Sequence, residues 1–358
     1  MAQIRVENLR RGANFEHQLT GPVDQDQTHT QIGVAADANA DTNEQYTPPA
    51  LDLVILDIAP LRDSDALLPG YYWGISVSEM DAAFNGSVLF ESTDDILFEQ
   101  VDDAARQVSY GESLTVLATG IVGAWDEVNT VDIELINGAL ESRTTSEVLE
   151  GRNRAILNGE IIGFRTVTAL GDDEYTLSGL LRGLRDTIKL TGTHQIGDSF
   201  VVLDNALEFR EMNIAGRGST RYVKGVADGG AESDVDSESF SWLANTLTPF
   251  APGNLVAIRD GSNDIAFSWV RRSRSIVQLF GPGPIPNNET IERYQITLSN
   301  VSTPADPNIV VTIDDAMLTT ITAAQRTAVG WAAGDTVKLT IAQVSAIVGP
   351  GNTSDINA

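Results

Sequence analysis

From Leu51 onward the chain is a succession of short apolar runs separated by turn residues. "LDLVILDIAPL", Leu51 to Leu61, is apolar, β-branched and bounded by prolines, the pattern of a strand. In "LLPGYYWGISVS" a Pro-Gly turn feeds an aromatic run. Ile75 and Val77 then alternate with serines, which predicts a half-buried strand, because side chains change face at every residue. "GSVLFES", "SLTVLATG", "VDIELING" and "AILNGEIIGFRTV" repeat the pattern, each flanked by Gly, Asn or Asp, and together predict an all-β domain over residues 51–210. Asn158-Gly159 and Asn137-Gly138 read as tight hairpin turns, since both residue types tolerate positive φ. "SEVLEGRNRAIL" contains the main helical candidate of this half, a short one, with Ser146 as its cap and Leu149 on its buried side.

Residues 211–245 change character. A glycine-rich stretch leads into "AESDVDSES", and the segment reads as a connector with an acidic loop. Over residues 246–351 a second set of strands follows: "NLVAIRDG", "DIAFSWVRR", "ERYQITLS", "NIVVTIDD" and "DTVKLTIAQVS". Their number and spacing predict a fibronectin type III-like or immunoglobulin-like β-sandwich with Trp269 as a core anchor. "TTITAAQRTAVGW" is its helix-leaning insert. Residues 1–50 are polar and poor in large apolar side chains, and read as an extended arm that orders against a partner.

Charge narrows the function. With 50 acidic and 23 basic residues in 358, the formal net charge is −27, which repels polyanions and makes nucleic-acid binding an unexpected role. No cysteine is present, so disulfides, thiolate metal sites and thiol catalysis are excluded. No apolar run reaches the roughly 18 residues that a membrane-spanning helix needs. The N-terminal residues lack the apolar segment of a secretory signal, so export by that route is not expected.

Chemistry is scarce. The three histidines, His17, His29 and His194, form no metal motif, and His194 in "TGTHQIGDSF" reads as a turn residue bonded to its own loop. No nucleophile elbow is present. "GRGSTR" and "GPGPIP" lack the strand–loop–helix context of a phosphate loop. A glycosidase needs two carboxylates about 5–9 Å apart, but the sequence nominates no pair, and Asp94, Asp95 and Glu160 read as solvated turn residues. "DANADTNE" begins like a calcium loop at Asp37, Asn39 and Asp41, yet has Thr42 where glycine belongs and Pro48 where glutamate belongs. No catalytic, cofactor-binding or metal-binding residue is therefore expected. The arginines offer more. Arg182 and Arg185 in "LSGLLRGLRDT", and Arg271, Arg272 and Arg274 in "FSWVRRSRS", are placed to clamp carboxylates of another domain or subunit. A guanidinium's rigid fork suits such pairing, and Arg272 and Arg274 would share one face of a strand.

The same residues carry a resemblance. "LEGRNRAILNGEIIGFRTVTALGDDEYTLSGLLRGLRDT", Leu149 to Thr187, resembles the C-terminal region of the tail hub (tail tip, host specificity) proteins of siphophages and gene transfer agents, built as "GxN…GGEIxxFR…YxLSGLLRGxRGT". Gly151 and Asn153 match its opening, and Gly159, Glu160, Phe164 and Arg165 its hairpin. Tyr175, Leu177 to Gly183, Arg185 and Thr187 match its arginine-rich turn. Asp186 departs from the usual glycine. "PGYYWGISVS", "GSVLFESTDD", "HQIGDSFVVLD", "LTPFAPGNLVAIR", "IAFSWVRRSR" and "AQVSAIVGPG" are similar to further family segments in the same order.

The resemblance implies a non-enzymatic structural component of a phage tail tip or baseplate region, the distal half of such a hub standing as a separate polypeptide. It would connect the tail tube to receptor-binding parts, contribute to host attachment and DNA delivery, and reside in the virion. It implies a homo-oligomer, a trimer, with hub, tube and fibre proteins and a host surface receptor as partners and no cofactor. A glycan-binding, adhesin-like module stands beside this reading, and a glycan-degrading enzyme behind it. Exposed Tyr71, Tyr72 or Trp125 lining a groove would favour the glycan module.

Overall fold

The computed structural model describes residues 8–11, 17–20, 48–77, 84–275 and 285–358. Residues 1–47 form one unit and residues 48–358 a second. In the first, strands β1 (Asn8–Arg11) and β2 (His17–Thr20) pair as an antiparallel hairpin within what the sequence predicts as an arm. The calcium-like positions from Asp37 to Asn39 and Asp41, and also His29, lie outside the described residues, as does the glycine of "GPGPIP" at Gly281.

The second unit is mainly β. It opens with β3 (Leu51–Leu56), β4 (Gly70–Val77), β5 (Ser87–Ser92) and β6 (Glu99–Ala104). Next come β7 (Tyr110–Ser113), β8 (Trp125–Asp126), β9 (Val131–Asn137), helix α1 (Thr145–Leu149), β10 (Arg154–Leu157), β11 (Glu160–Gly171), β12 (Glu174–Leu184) and β13 (Ser199–Val202). Strands β14 (Glu208–Glu211), β15 (Thr220–Ala227) and β16 (Glu238–Ser241) follow.

Strands β14-β4-β3 form one sheet and β16-β15-β5-β6 another. Tyr71, Trp73 and Ile75 of β4 pack with Leu89, Ala104 and Val223 of the facing sheet in one core, so the two sheets make a sandwich. Residues 211–245, expected as a connector, thus supply two of its strands. The alternation of Tyr222, Lys224 and Val226 with Val223 and Gly225 was masked by the flanking glycines and acidic residues. Gly225 has a structural reason: a Cβ there would meet Ile75 Cδ1 at 2.4 Å. The acidic loop between β15 and β16 is tied down by a Lys224–Glu232 ion pair at 2.5 Å.

Between β6 and β14 the chain builds a second body. Its strands are hydrogen-bonded in the order β11-β10-β13-β7-β9-β12, and β12 pairs back to β11, which closes a six-stranded antiparallel barrel. Strand β8 continues the β9 edge along β12. Ile133, Ala155, Leu157, Ile162, Phe164, Leu177, Leu180 and Phe200 fill the interior. Residues of the opposite pleat, Ile156, Ile161 and Val201, face outward against Tyr72 and Leu207. Strand β4 is therefore buried on both faces, not half-buried as its serines suggest: odd positions enter the sandwich core and Tyr72 packs on the barrel. Gly74 permits that approach, because a Cβ there would lie 2.4 Å from Val108 Cγ1.

Asn158-Gly159 makes the β10–β11 turn, both residues having positive φ (42° and 89°), as a two-residue hairpin requires. Asn137-Gly138 instead ends β9 without a following strand. Asn137 Nδ2 bonds the Val108 carbonyl, and residues 138–144 run on as irregular chain. Helix α1 is capped by Thr144, not Ser146, through a capping box with Glu147. Val148 is its buried residue, and Leu149 is exposed.

The C-terminal body has β17 (Gly253–Arg259), β18 (Ile265–Val270), β19 (Arg293–Asn300), β20 (Ile309–Asp314), β21 (Leu318–Ile321), helix α2 (Ala323–Ala328), β22 (Val337–Ser345) and β23 (Gly349–Asn357). Sheets β17-β18-β21 and β20-β19-β22-β23 face each other in a fibronectin type III-like sandwich that runs to Asn357 rather than stopping at residue 351. Trp269 is a core residue stacked edge-on to Tyr294 at 5.2 Å.

Candidate functional site: a buried arginine network and a domain junction

The arginines singled out from the sequence occupy two connected places. Arg182, near the end of β12, points into one end of the barrel. Its Nε and Nη2 donate to both oxygens of Glu160, each at 2.8 Å, and Nη1 donates to the Ala118 carbonyl at 2.9 Å. Asp126 of β8 lies 3.5 Å from Nη1. The Gly183 amide donates to Glu160 Oε1 at 2.8 Å. His194, in the loop before β13, sets Nε2 2.7 Å from Glu160 and Nδ1 3.2 Å from Asp198. Both ring nitrogens face carboxylate oxygens, so the ring is held at both ends.

Glu160, Arg182 and His194 side chains are fully buried. Glu160 is thus no solvated turn residue. The pleat that places Ile162 and Phe164 inside the barrel places Glu160 there too. His194 bonds its own loop through Asp198 as expected, and in addition reaches Glu160. Burial alone would push the Glu160 carboxyl up, but the bonds from His194 and Arg182 outweigh it and hold the group below the ordinary glutamate range. Asp126 is held low in the same way, against burial, by Asn129 and the Val128 amide. Removed from water and fully paired, the network gives a substrate no access. Its chemistry is that of an end plug for the barrel.

The second place is the junction of the three bodies. Arg185 and Asp186 follow β12 in left-handed backbone, with φ of 54° and 72°. Arg185 Nη2 donates to the carbonyls of Pro60 and Arg274, and its guanidinium lies 5.1 Å from the Phe250 ring centre. Burial and then the neighbouring Arg154 bring Arg185 down to about 10. Arg272 covers the same ring at 5.5 Å and pairs with Asp186. Asp186 also accepts from the Ala251 amide and from Asn352 Nδ2, both at 2.8 Å. Arg274 donates to the Leu247 carbonyl and to Glu289 at 2.8 Å, and Arg271 pairs with Glu292. Strand β18 ends at Val270, so Arg272 and Arg274 do not share a strand face. They lie in the irregular chain that follows, and each finds its own partner.

Tyr71 and Tyr72 are fully buried and line no groove. Trp125 is half-buried beneath the Arg165 guanidinium at 4.9 Å. Asp94 is a turn residue, accepting from the Ile96 and Leu97 amides. Among the described residues no group of three or more His, Asp or Glu side chains is arranged to hold a metal, and no helix is long and apolar enough to cross a membrane. Asp126, Asp198 and Phe250 were not legible as partners, because Asp126 lies on a two-residue strand too short to show alternation, and Asp198 and Phe250 lie in loops whose path no periodicity predicts.

Comparison with known proteins agrees with this division of the chain. Residues 108–201, which contain the barrel except for the last residue of β13, match the family model described as Rcc01698-like, C-terminal. No curated protein matches. Similar solved structures include a two-domain fibronectin type III segment of chicken tenascin, with 11% identity over 70% of this chain and 98% of that one and a TM-score of 0.23. The FN1–FN3 domains of chicken CNTN1 match with 11% identity over 87% and 98% and a TM-score of 0.21. At those scores the superpositions carry no weight beside the strand pairing, on which the fold assignment rests.

Proposed function

We propose that this chain is a structural component of a phage-type tail tip or hub. In this reading it connects the tail tube to distal receptor-binding parts in the baseplate region, and it contributes to host attachment and DNA delivery from within the virion. One observation carries the reading. The residues of the tail-hub resemblance hold the architecture together. Glu160, Arg182, Gly183 and His194 plug the barrel, and Arg185 joins it to the C-terminal body through the Arg274 carbonyl. A protein that works by holding geometry needs stiff bodies with fixed relative placement, and three packed β bodies provide them. Its partners in this role are copies of itself, as a trimer, with hub, tube and fibre proteins and a host surface receptor. Symmetry repeats each contact, so a modest patch closes a ring.

Quantitative mass spectrometry of purified tailed particles from the producing cell tests the reading. The chain is expected at a fixed ratio to the tube subunit, in multiples of three. Its absence from particles, with abundance only in the soluble fraction, would overturn it.

A further inference from the structure

Where the barrel meets the first sandwich, a cleft of about 470 Å³ opens beside the start of β10. Arg62, Arg143, Arg152 and Arg154 all line it, a concentration of cations in a chain with 23 basic residues against 50 acidic ones. Three carboxylates also line it, and each has other business. Glu141 pairs with Arg143 at 3.1 Å, Glu150 receives the Ser146 hydroxyl at 3.2 Å, and Asp204 caps the Ala206 amide at 2.8 Å.

Arg154 has no such outlet. It sits on the outward pleat of β10 with Ile156, which packs in the cluster around Tyr72. Its Nε is buried without a hydrogen bond, and among the described residues its guanidinium forms no ion pair. Burial lowers its pKa with no carboxylate opposing the effect. Gly151, with φ of 103°, keeps space open beside it, because a Cβ there would lie 3.2 Å from the guanidinium. Arg62, which also lines the cleft, is held by the Leu207 carbonyl and lies 5.9 Å from the Tyr72 ring centre. A partly buried cation without a partner is unfavourable, and natural structures commonly offset that cost with a counter-charge.

We propose that this cleft binds a small, ring-sized polar oxyanion, a carboxylate or a phosphate, with the Arg154 guanidinium as its anchor and Arg152 at its rim. The guanidinium fork accepts either group through two parallel hydrogen bonds. The cavity lies within the range of about 300–1,000 Å³ usual for small-ligand sites. The inference stands apart from the tail-tip reading, since it rests on the cleft alone.

Isothermal titration calorimetry on the full chain at constant ionic strength tests it, with glucuronate, glucose 6-phosphate and neutral glucose as probes. At least one of the two anions is expected to bind and glucose is not, and the preferred anion tells carboxylate from phosphate. Arg154→Met, which keeps the apolar stem, is expected to weaken binding at least tenfold. Arg154→Lys retains the charge without the fork and falls between. Arg152→Met, at an exposed position, weakens binding severalfold and covers the case in which the Arg154 variants do not fold. Arg293→Met, whose ion pair with Asp314 lies in the C-terminal sandwich, leaves binding unchanged. Silence with both anions, equal binding of glucose, or full affinity in Arg154→Met or, should that variant not fold, in Arg152→Met, would overturn the proposal.

Discussion

Removing one member of the Glu160–Arg182 pair leaves the other as an uncompensated charge in the barrel end. Arg182→Met should therefore lower stability by about 3–5 kcal/mol, read as a shift in urea midpoint. A loss below about 1 kcal/mol, the scale of an exposed pair, would contradict the burial argument. The same network sets an acid limit. Glu160 and Asp126 have folded-state pKa values below their unfolded ones. The stability they contribute is complete above the unfolded carboxylate range of about 4 and is lost as pH falls through their lower folded values. Glu160→Gln removes that titration, so its melting temperature should fall less steeply than the parent's between neutral pH and about pH 3; parallel curves would refute the assignment. Residue identity made Arg182 visible in the sequence, since a long cation between two glycines needs a reason. Glu160 was invisible because a carboxylate after an Asn-Gly turn looks solvated until the pleat is known to point it inward.

At the scale of elements, strand positions followed from alternation, and the Asn158-Gly159 turn followed from its backbone demands. What alternation omits is partnership. It shows which side chains share a face and not which strand lies alongside. Closure of the barrel through β11 and β12 and the double burial of β4 therefore emerge only in three dimensions. Strands β15 and β16 escaped for a related reason: Gly225 and the acidic loop look like linker chemistry, yet Gly225 is required by close sheet packing. Gly111 shows the same pressure inside the barrel, where an added Cβ would meet the Glu134 carbonyl oxygen at 2.0 Å. Gly111→Ala should cost about 1–3 kcal/mol or more through overpacking. Gly261→Ala, with nothing within 4 Å of the new atom, should be nearly neutral. Equal melting temperatures for the two variants would show that the β7–β9 contact yields easily.

For the whole molecule, the junction decides whether three β bodies behave as one. Asp186 replaces the glycine that the resemblance would place there. In return for a left-handed backbone, its carboxylate binds Arg272, Asn352 and the Ala251 amide. Asp186→Gly should ease the backbone and free the C-terminal sandwich. Small-angle scattering should then show a larger radius of gyration, and protease should cut near residues 245–252; an unchanged scattering curve would mean that Arg185 and Phe250 suffice. The polar N-terminal segment belongs to the proposal on assembly. Deleting residues 1–45 should leave the β bodies folded by circular dichroism and abolish incorporation into particles, and normal incorporation would remove that segment from the assembly role. In the proposed function the chain is a rigid, repeated part of a tail tip. A cryo-electron microscopy reconstruction of the intact particle tests it most directly. Density for the sandwich, barrel and C-terminal sandwich is expected about the tail axis in three copies, with the Arg182 and Asp186 contacts intact. A resolved tail tip with no density for this fold would contradict it.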